Sequence, residues 1–231
     1  MRTFLHSGDM GDIIYALSAM KAVGGGKLFL DVSGGADRSV VQIPRGRTKF
    51  NDAAFEFMLP LLVDQTYISE VARWAGEDVD HDLDRFREHA CEKVNIADMH
   101  MRVVGCLPND VADPWLRSDP TPIAKVVVSR SLRYHGNYSF WESFTRRDHD
   151  WVFVGTPFEH QVFETVFETR VPYFDVPTAY ELARVIAGAE LFVGNQNLCR
   201  AVAEGLKKNV IVEEYPRVPN TRFVREGAVY V

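Results

Sequence analysis

Residues 3–32 read TFLHSGDMGDIIYALSAMKAVGGGKLFLDV, and their pattern indicates the fold class. A short extended run at residues 3–6 leads into a glycine-containing loop, after which residues 12–23 carry apolar side chains at helical spacing. A run of three glycines ends this helix, and residues 27–32 follow as a second buried strand. Two strands joined by a helix predict a β-α-β unit with parallel strands and a right-handed crossover.

The second half of the chain shows the same alternation of short apolar strands and helices. Strands are predicted over residues 125–129, 151–154, 171–174, 190–193 and 209–212. Helices are predicted over residues 140–144, 159–168, 179–187 and 198–207. This alternation is typical of a doubly wound parallel sheet, so the sequence predicts an α/β protein with a Rossmann-like arrangement in each half.

The middle of the chain is less regular. Helices are predicted over residues 51–63 and 95–107, and the stretch between them is acidic and irregular over residues 76–87. The sequence Asp119-Pro120-Thr121-Pro122 is typical of a linker, because proline lacks a backbone donor and disfavours helix in the residue before it. We therefore predict an N-terminal domain over residues 1–118 and a C-terminal domain over residues 119–231, facing each other across a cleft.

The composition is that of a globular protein. Of the 231 residues 46% are hydrophobic and 25% charged, which excludes a disordered, collagenous or coiled-coil chain. Cys91, Cys106 and Cys199 lie far apart, which argues against a disulfide framework or structural zinc and favours the reducing cytoplasm. No apolar run approaches the roughly 20 residues that span a bilayer, so we expect no membrane insertion. The formal net charge of −6 gives no general attraction for nucleic acid.

The loop after the first strand, Ser7-Gly8-Asp9-Met10-Gly11-Asp12, is the first candidate site, because ligands of open α/β sheets bind outside the carboxyl ends of the strands. Its aspartates would repel a phosphate. A carboxylate at a helix N-terminus is stabilised as the anion, so Asp12, with Asp9 beside it, is a candidate base for a hydroxyl group. The alternative is that Asp9 or Asp12 only caps the helix.

Three loops in the second half are candidates for holding a diphosphate and its ribose. Amide groups line the loop before residue 198, arginines follow the strand at residues 125–129, and a threonine and a carboxylate begin the helix at residue 159. The residues are Gly194, Asn195, Gln196, Asn197, Arg130, Arg133, Thr156 and Glu159. Amide donors and arginine forks suit phosphate oxygens, and a carboxylate suits ribose hydroxyls. The alternatives are helix caps for the amides and for Glu159, and solvated surface positions for the arginines.

We predict no metal site. The acidic run at residues 78–84 contains an Asp-Val-Asp sequence, but it lacks the context of a strand end beside a nucleotide loop and is interpreted as a surface turn. The histidines are scattered, and none pairs with another ligand at the spacing of a metal site.

Together these loops resemble a known family. The opening His6-Ser7-Gly8-Asp9-Met10-Gly11-Asp12-Ile13-Ile14 resembles the first strand-loop-helix of the ADP-heptose lipopolysaccharide heptosyltransferases, which form glycosyltransferase family nine. Residues 153–159 and 181–195 match later segments of that family in the same order. The resemblance covers both ends of the chain and most of its second half.

The resemblance implies a GT-B fold, with two Rossmann-like domains across a cleft and the nucleotide sugar held mainly by the C-terminal one. It implies that Asp12 is the base for the acceptor hydroxyl, that a basic residue near Arg130 meets the donor phosphates, and that Glu159 binds the ribose. It also implies that no metal or other cofactor is needed. The sequence departs from the family pattern at Gln196 and Asn197, and further along at Leu198 and Ala201.

These observations predict a small, metal-independent, cytoplasmic glycosyltransferase acting on a nucleotide sugar and a hydroxyl acceptor such as a glycan. One alternative is a phage-type enzyme that glycosylates hydroxymethylated bases in DNA. The basic residues Arg38, Arg45, Arg47 and Lys49 would then supply the positive charge that binds the DNA. Another is a catalytically degenerate domain that binds a nucleotide or a sugar. The sequence does not specify the oligomeric state.

Overall fold

The computed structural model describes residues 1–33, 50–91, 94–107 and 113–231. The described chain forms two compact units. The first comprises Met1–Asn109 with Thr178–Tyr180, and the second comprises Asp110–Pro177 with Glu181–Val231. The basic residues Arg38, Arg45, Arg47 and Lys49 lie outside the described residues.

The first unit is built on a four-stranded parallel sheet in the order β3-β2-β1-β4. Its strands are β1 (Arg2–His6), β2 (Gly26–Leu30), β3 (Ile68–Arg73) and β4 (His81–Asp82). Its helices are α1 (Met10–Ala22), α2 (Asp52–Val63), the 3₁₀ helix Leu83–His89 and α3 (Ile96–Val103).

The second unit is built on a five-stranded parallel sheet in the order β6-β5-β7-β8-β9. Its strands are β5 (Val126–Ser129), β6 (Trp151–Phe153), β7 (Leu191–Gly194), β8 (Asn209–Val212) and β9 (Ala228–Tyr230). Its helices are α4 (Tyr138–Thr145), α5 (Pro157–Val166), α6 (Ala179–Gly188) and α7 (Leu198–Gly205). The predicted α/β class with two parallel Rossmann-like sheets is confirmed.

Strand order places one switch point in each sheet. In the first unit the chain moves outward from β1 through β2 to β3 and then returns to the other side of β1 with β4. In the second unit it moves from β5 to β6 and then crosses to the other side of β5 with β7. Ligands of open α/β sheets bind at such switch points, beyond the carboxyl ends of the strands. Ligands are therefore expected at the loops after β1, β4, β5 and β7.

Burial explains why the first β-α-β unit forms. The α1 side chains Ile13, Leu17 and Met20 have no exposed area and pack into the core. The turn from α1 to β2 needs glycine, since Gly25 has a φ of +75° and a Cβ there would lie 1.8 Å from the carbonyl oxygen of Tyr67. Substitution by any larger residue would both strain the backbone and push β2 away from its neighbour.

An aromatic cluster forms the core between the second sheet and its helices. Trp141 and Phe144 of α4 and Phe163 of α5 pack against Phe153 of β6. The rings of Trp141 and Phe163 meet edge to face with centroids 5.2 Å apart, a favourable arrangement for two aromatic quadrupoles. This cluster fixes α4 and α5 on the sheet, and so it fixes the loops that precede them.

Three sequence-based predictions of local structure differ from the structure. The strand predicted at residues 171–174 is only an isolated bridge between Phe153 and Tyr173. The stretch at residues 76–87, predicted as irregular, contains β4 and most of the 3₁₀ helix. Strands β3 and β9 were not predicted, because both lie at sheet edges and their side chains are mostly half-buried or exposed, without the apolar run of a central strand.

Among the described residues, no helix has both the length and the apolar character needed to cross a membrane.

Candidate active site

The loop after β1 carries two carboxylates at the start of α1. Asp9 is the N-cap residue of this helix, but its side chain makes no capping hydrogen bond. Asp12 lies in the first turn, where the helix dipole favours its anionic form, and 18% of its side chain is exposed. The carboxylate of Asp12 is therefore partly accessible to solvent, at a position where a helix favours negative charge.

The 3₁₀ helix after β4 supplies partners for this loop. Arg87 donates from Nη2 to the Asp12 carboxylate over 2.9 Å. Asp84 accepts from the backbone N–H of Ser7 over 3.0 Å and from the Ser7 hydroxyl over 2.5 Å. The loop is thus held at both ends by side chains that lie more than seventy positions away in sequence.

Two buried histidines lie beneath the loop. His6 accepts at Nδ1 from the N–H of Gly8 over 2.9 Å, so its proton lies on Nε2, which faces Nε2 of His100 at 3.2 Å. His100 in turn donates from Nδ1 to the carbonyl oxygen of Ile96 over 2.7 Å. These partners assign one tautomer to each ring and connect β1 to α3.

Burial keeps both rings neutral. It lowers the pKa of His6 to about 3, with the positive charge of Arg87 adding to the effect and Asp9 opposing it. Burial and the neighbouring His6 also lower the pKa of His100 well below its usual value. Nδ1 of His6 lies 3.2 Å from a carboxylate oxygen of Asp84, but with a neutral ring this contact is not an ion pair. Burial raises the pKa of Asp84, against the hydrogen bonds from Ser7 that lower it.

The prediction that residues 78–84 form only a surface turn is wrong. Asp80 accepts hydrogen bonds from the backbone and hydroxyl of Thr3, and β4 pairs with β1 in parallel. Asp82 caps the 3₁₀ helix by accepting from the N–H of Asp84. Asp84 and Arg87 were therefore missed as site residues. Their three-residue spacing after a short strand was the available signal, since it places both on one side of a 3₁₀ helix.

Within the described ranges, no group of three or more histidine, cysteine, aspartate or glutamate side chains could hold a metal ion.

In the second unit, amide side chains join the loops after β5 and β7. The buried Asn195 accepts at Oδ1 from the N–H of Ser131 over 2.9 Å and donates from Nδ2 to the carbonyl oxygens of Ser131 and Arg133. Asn197 accepts from the N–H of Arg200 over 2.9 Å and so caps α7, and it donates to Ser129 and Asn195. Asn197 therefore has the capping role that the sequence left as an alternative. Gly194 is the last residue of β7.

Arg130 is placed inside the unit. Its side chain is 3% exposed and binds the fully buried Glu213 twice, from Nε over 2.7 Å and from Nη2 over 3.0 Å. Glu213 also accepts from Trp141 Nε1 and from the N–H groups of Gly136 and Asn137. Burial raises the pKa of Glu213, but the bonds and charge of Arg130 outweigh this and lower it overall. The positive charge of Arg130 is largely matched by this carboxylate.

Arg133 and Gln196 differ in their surroundings. Arg133 is exposed, lies over the ring of Tyr134 at 5.3 Å, and pairs with no carboxylate among the residues that the structure describes. Gln196 is buried and donates to the carbonyl of Val218 and to the hydroxyl of Thr221, so it binds a different segment from Asn195. Of the two, Arg133 is the one available to an anionic ligand.

Thr156 and Glu159 form a capping box at the start of α5. The Thr156 hydroxyl accepts from the N–H of Glu159, and Oε2 of Glu159 accepts from the N–H of Thr156 over 2.9 Å. Oε1 makes no hydrogen bond within the described part of the chain. The charge of Glu159 contributes to the raised pKa of Cys199, which burial brings to about 12, so this carboxylate lies near the start of α7.

The structure therefore brings the predicted residues together in two groups. Asp9 and Asp12 share the loop after β1, and the remaining predicted residues surround the carboxyl ends of β5, β6 and β7. The first group belongs to one compact unit and the second to the other. That the groups face a common cleft stays a prediction.

Two parallel Rossmann-like sheets, one in each compact unit, define a GT-B-like α/β protein.

The chain is similar in fold to solved structures of glycosyltransferases. The chain is similar to the family 9 glycosyl transferase of Veillonella parvula, with a TM-score of 0.62 at 12% identity over 99% of this chain and 84% of that one. It is similar to the E. coli heptosyltransferase WaaC with ADP-2-deoxy-2-fluoro heptose, with a TM-score of 0.61 at 12% identity over 100% and 93% of the two chains. For WaaC with ADP the TM-score is 0.56 at 14% identity, over 100% and 92%. The resemblance expected from the sequence is confirmed at the level of the fold.

No protein-family model matches the chain, and no curated protein sequence does either.

Proposed function

We propose that this protein is a metal-independent glycosyltransferase that moves a sugar from a nucleotide-sugar donor to a hydroxyl acceptor. The observation that carries the proposal is a carboxylate, Asp12, at the N-terminus of the helix that follows the switch-point strand β1, in a chain whose fold is shared with glycosyltransferases over nearly its whole length. Its three cysteines are free, which fits our proposal that it acts in the reducing cytoplasm.

On the acceptor side, Asp12 takes the proton of the acceptor hydroxyl as that oxygen forms a bond to the anomeric carbon of the donor sugar. The bond from this carbon to the diphosphate oxygen breaks, and its electron pair leaves with the nucleoside diphosphate. A general base of this kind contributes about 10²–10⁴-fold to the rate. The partial exposure of Asp12 supports this role, because the acceptor oxygen must come within hydrogen-bond distance of the carboxylate.

On the donor side, the loops after β5 and β7 hold the diphosphate. The exposed Arg133 meets the phosphate charge, and Asn195 and Asn197 fix the shape of the loop and the start of α7, whose N–H groups favour an anion. Glu159 offers Oε1 to the ribose hydroxyls. Arg130 contributes from within, by holding Glu213 and the loop that carries Arg133.

The test is turnover by the Asp12→Asn variant. The full-length protein is incubated with a panel of nucleotide sugars, ADP-heptose among them because of the ligand in a WaaC structure, and release of nucleoside diphosphate is measured. We expect Asp12→Asn to lower the rate about 10²-fold or more, because an amide cannot accept the proton. Donor binding, measured by thermal shift, should persist.

Asp52→Asn is the matched control. Asp52 is also a first-turn carboxylate paired with an arginine of the same unit, Arg73, at 2.8 Å, but it lies on α2. Normal turnover is expected for this variant. Near-normal turnover by Asp12→Asn would contradict the proposed base and leave Asp12 a structural role.

The same assay separates the alternatives. A thermal shift with a nucleotide sugar but no turnover by the unaltered protein would indicate a binding domain instead of an enzyme. Steeply salt-dependent binding to DNA would indicate a nucleic-acid acceptor in place of a glycan.

A further inference from the structure

The 3₁₀ helix Leu83–His89 presents two side chains to the loop that carries the proposed base. A 3₁₀ helix has three residues per turn, so Asp84 and Arg87 project on the same side. Asp84 binds the beginning of the loop at Ser7, and Arg87 binds its end at Asp12. The two contacts hold the loop at both ends from one short element.

Arg87 is itself held in place. Its guanidinium lies 4.2 Å from the centroid of the Phe86 ring, and that ring stacks on His100 with centroids 4.1 Å apart. Phe86 is 2% exposed and His100 is completely buried. The arginine therefore rests on a rigid aromatic base, in contrast to an ordinary surface pair in which two mobile side chains must both be ordered.

We propose that Arg87 is a positioning residue that pairs with the Asp12 carboxylate and aims it at the acceptor hydroxyl. This inference rests on the proposed function, since it concerns the base of that reaction. Arg87 does not contact the reacting atoms in this scheme. It acts through Asp12.

Several other charged or titratable groups lie around the same loop and interact with Arg87 or with one another. Asp84 comes from the 3₁₀ helix, His6 from β1, His100 from α3, Asp31 from the end of β2, and Asp9 from the loop itself. Burial keeps both histidines neutral, so Arg87 provides the positive charge of this set. An arginine beside an aspartate lowers the carboxyl pKa, and removing it raises that pKa.

The test measures the ionisation of Asp12 directly. Aspartate labelled with carbon-13 at the carboxyl carbon is incorporated into the full-length protein, and the Asp12 signal is assigned by its absence from Asp12→Asn. We expect Arg87→Met to raise the pKa of Asp12 by about one unit and Arg87→Lys to raise it by less, because lysine keeps the charge but loses the planar fork.

Arg85→Met is the control. Arg85 lies on the same helix and is similarly exposed, but it binds Glu88. This variant should leave the pKa of Asp12 unchanged. An equal shift in Arg85→Met and Arg87→Met, or no shift in either, would overturn the inference.

A second measurement needs no substitution. In the unaltered protein, raising the salt concentration to about 1 M should raise the pKa of Asp12, because salt screens the partly exposed pair. In Arg87→Met the same salt change should have little effect. A salt response of equal size in both proteins would contradict the proposal, even if one variant folded poorly.

Kinetics separate this inference from the proposed function. The acid limb of the kcat/KM profile should move to higher pH in Arg87→Met by the amount that the carbon-13 titration gives, since both report the same carboxyl group in the free enzyme. If Asp12→Asn remained active, the proposed role of Asp12 as the base would fail although the titration shift persisted. If Asp12→Asn were inactive but Arg87→Met titrated normally, only the inference would fail.

Discussion

At the scale of single residues, Glu213 organises the proposed donor side. Five donors meet its buried carboxylate, two from Arg130, one from Trp141 and two from the backbone at residues 136 and 137. They fix the loop between β5 and α4 against the end of β8. A buried carboxylate is tolerated only when its oxygens are satisfied in this way, so the set acts as one unit.

Removing Arg130 should therefore affect stability more than a typical surface arginine does. Arg130→Met leaves Glu213 buried without its charged partner, and we expect the free energy of unfolding of the second unit to fall by about 3 kcal/mol. Arg170→Met is the control, because Arg170 pairs with Glu164 at 90% exposure, and exposed pairs contribute less than about 1 kcal/mol. Denaturant unfolding without ligand measures both, and equal losses would contradict the account.

Arg130 also shows what could not be predicted from the sequence. Arginines after a strand indicated a phosphate site, but Arg130 and Arg133, three positions apart, have opposite surroundings. What separates them is Glu213, which lies 83 positions further along the chain than Arg130. A partner at that distance leaves no local pattern, so only the three-dimensional structure distinguishes the buried arginine from the exposed one.

At the scale of elements, asparagine begins several helices. The side chains of Asn51, Asn95, Asn137 and Asn197 each accept from a backbone N–H three residues further on, at the start of α2, α3, α4 and α7. Each cap satisfies a donor that the helix cannot pair internally. This repeated use fixes where four helices begin.

Asn51 offers the simplest test of this capping. Asn51→Ala removes the 2.9 Å bond from the N–H of Ala54, and we expect the first unit to lose about 1 kcal/mol of stability. Asn51→Asp keeps an acceptor and adds a charge that the helix dipole favours, so its stability should be close to that of the unaltered protein. Both are measured by thermal or denaturant unfolding. A loss in Asn51→Asp as large as that in Asn51→Ala would show that the cap contributes little.

Element type was largely predictable, and the strands that were not predicted all lie at sheet edges. Strands β1, β2, β5, β7 and β8 have compact apolar runs and were all predicted. Residues 68–73 read ISEVAR, and they pair only with β2 at the edge of the sheet, so polar side chains interrupt the pattern. β4 has only two residues, too few for any periodicity to appear.

At the scale of the whole molecule, the two units differ in their buried titratable groups. The first contains the neutral pair His6 and His100, whereas the second contains Glu204 and Glu213, which cations hold in the charged form. Buried neutral histidines make the folded unit less stable in mild acid, because the unfolded chain binds protons that the folded chain does not. Buried charged glutamates reduce the stability of the folded unit only when the pH falls below the ordinary pKa of glutamate.

We expect acid to destabilise the first unit before the second. Between pH 6.5 and about 3 the unfolded chain binds a proton at His6 that the folded chain does not, so the free energy of unfolding falls as the pH falls. Each such histidine contributes about 1.4 kcal/mol per pH unit. The raised pKa of Asp84 opposes this loss of stability only at the acid end of that pH range. In the second unit the pKa values of Glu204 and Glu213 are lowered, so acid leaves its stability unaffected down to about pH 4.5.

Hydrogen–deuterium exchange at pH 7 and pH 5, corrected for the intrinsic exchange rates, measures this difference. Protection should fall in the first unit and persist in the second. A variant that carries both His6→Met and His100→Leu should lose most of the pH dependence whatever its absolute stability. Equal loss of protection in both units of the unaltered protein would contradict the assignment.

The contact between Ser7 and Asp84 also governs the order in which the chain is assembled. The loop that carries Asp12 emerges from the ribosome before the side chains that hold its two ends, which follow more than seventy residues later. Pairing across such a distance is slow, because a long stretch of chain must first close. During translation the loop after β1 therefore acquires its final shape only after nearly the whole first sheet has been synthesised.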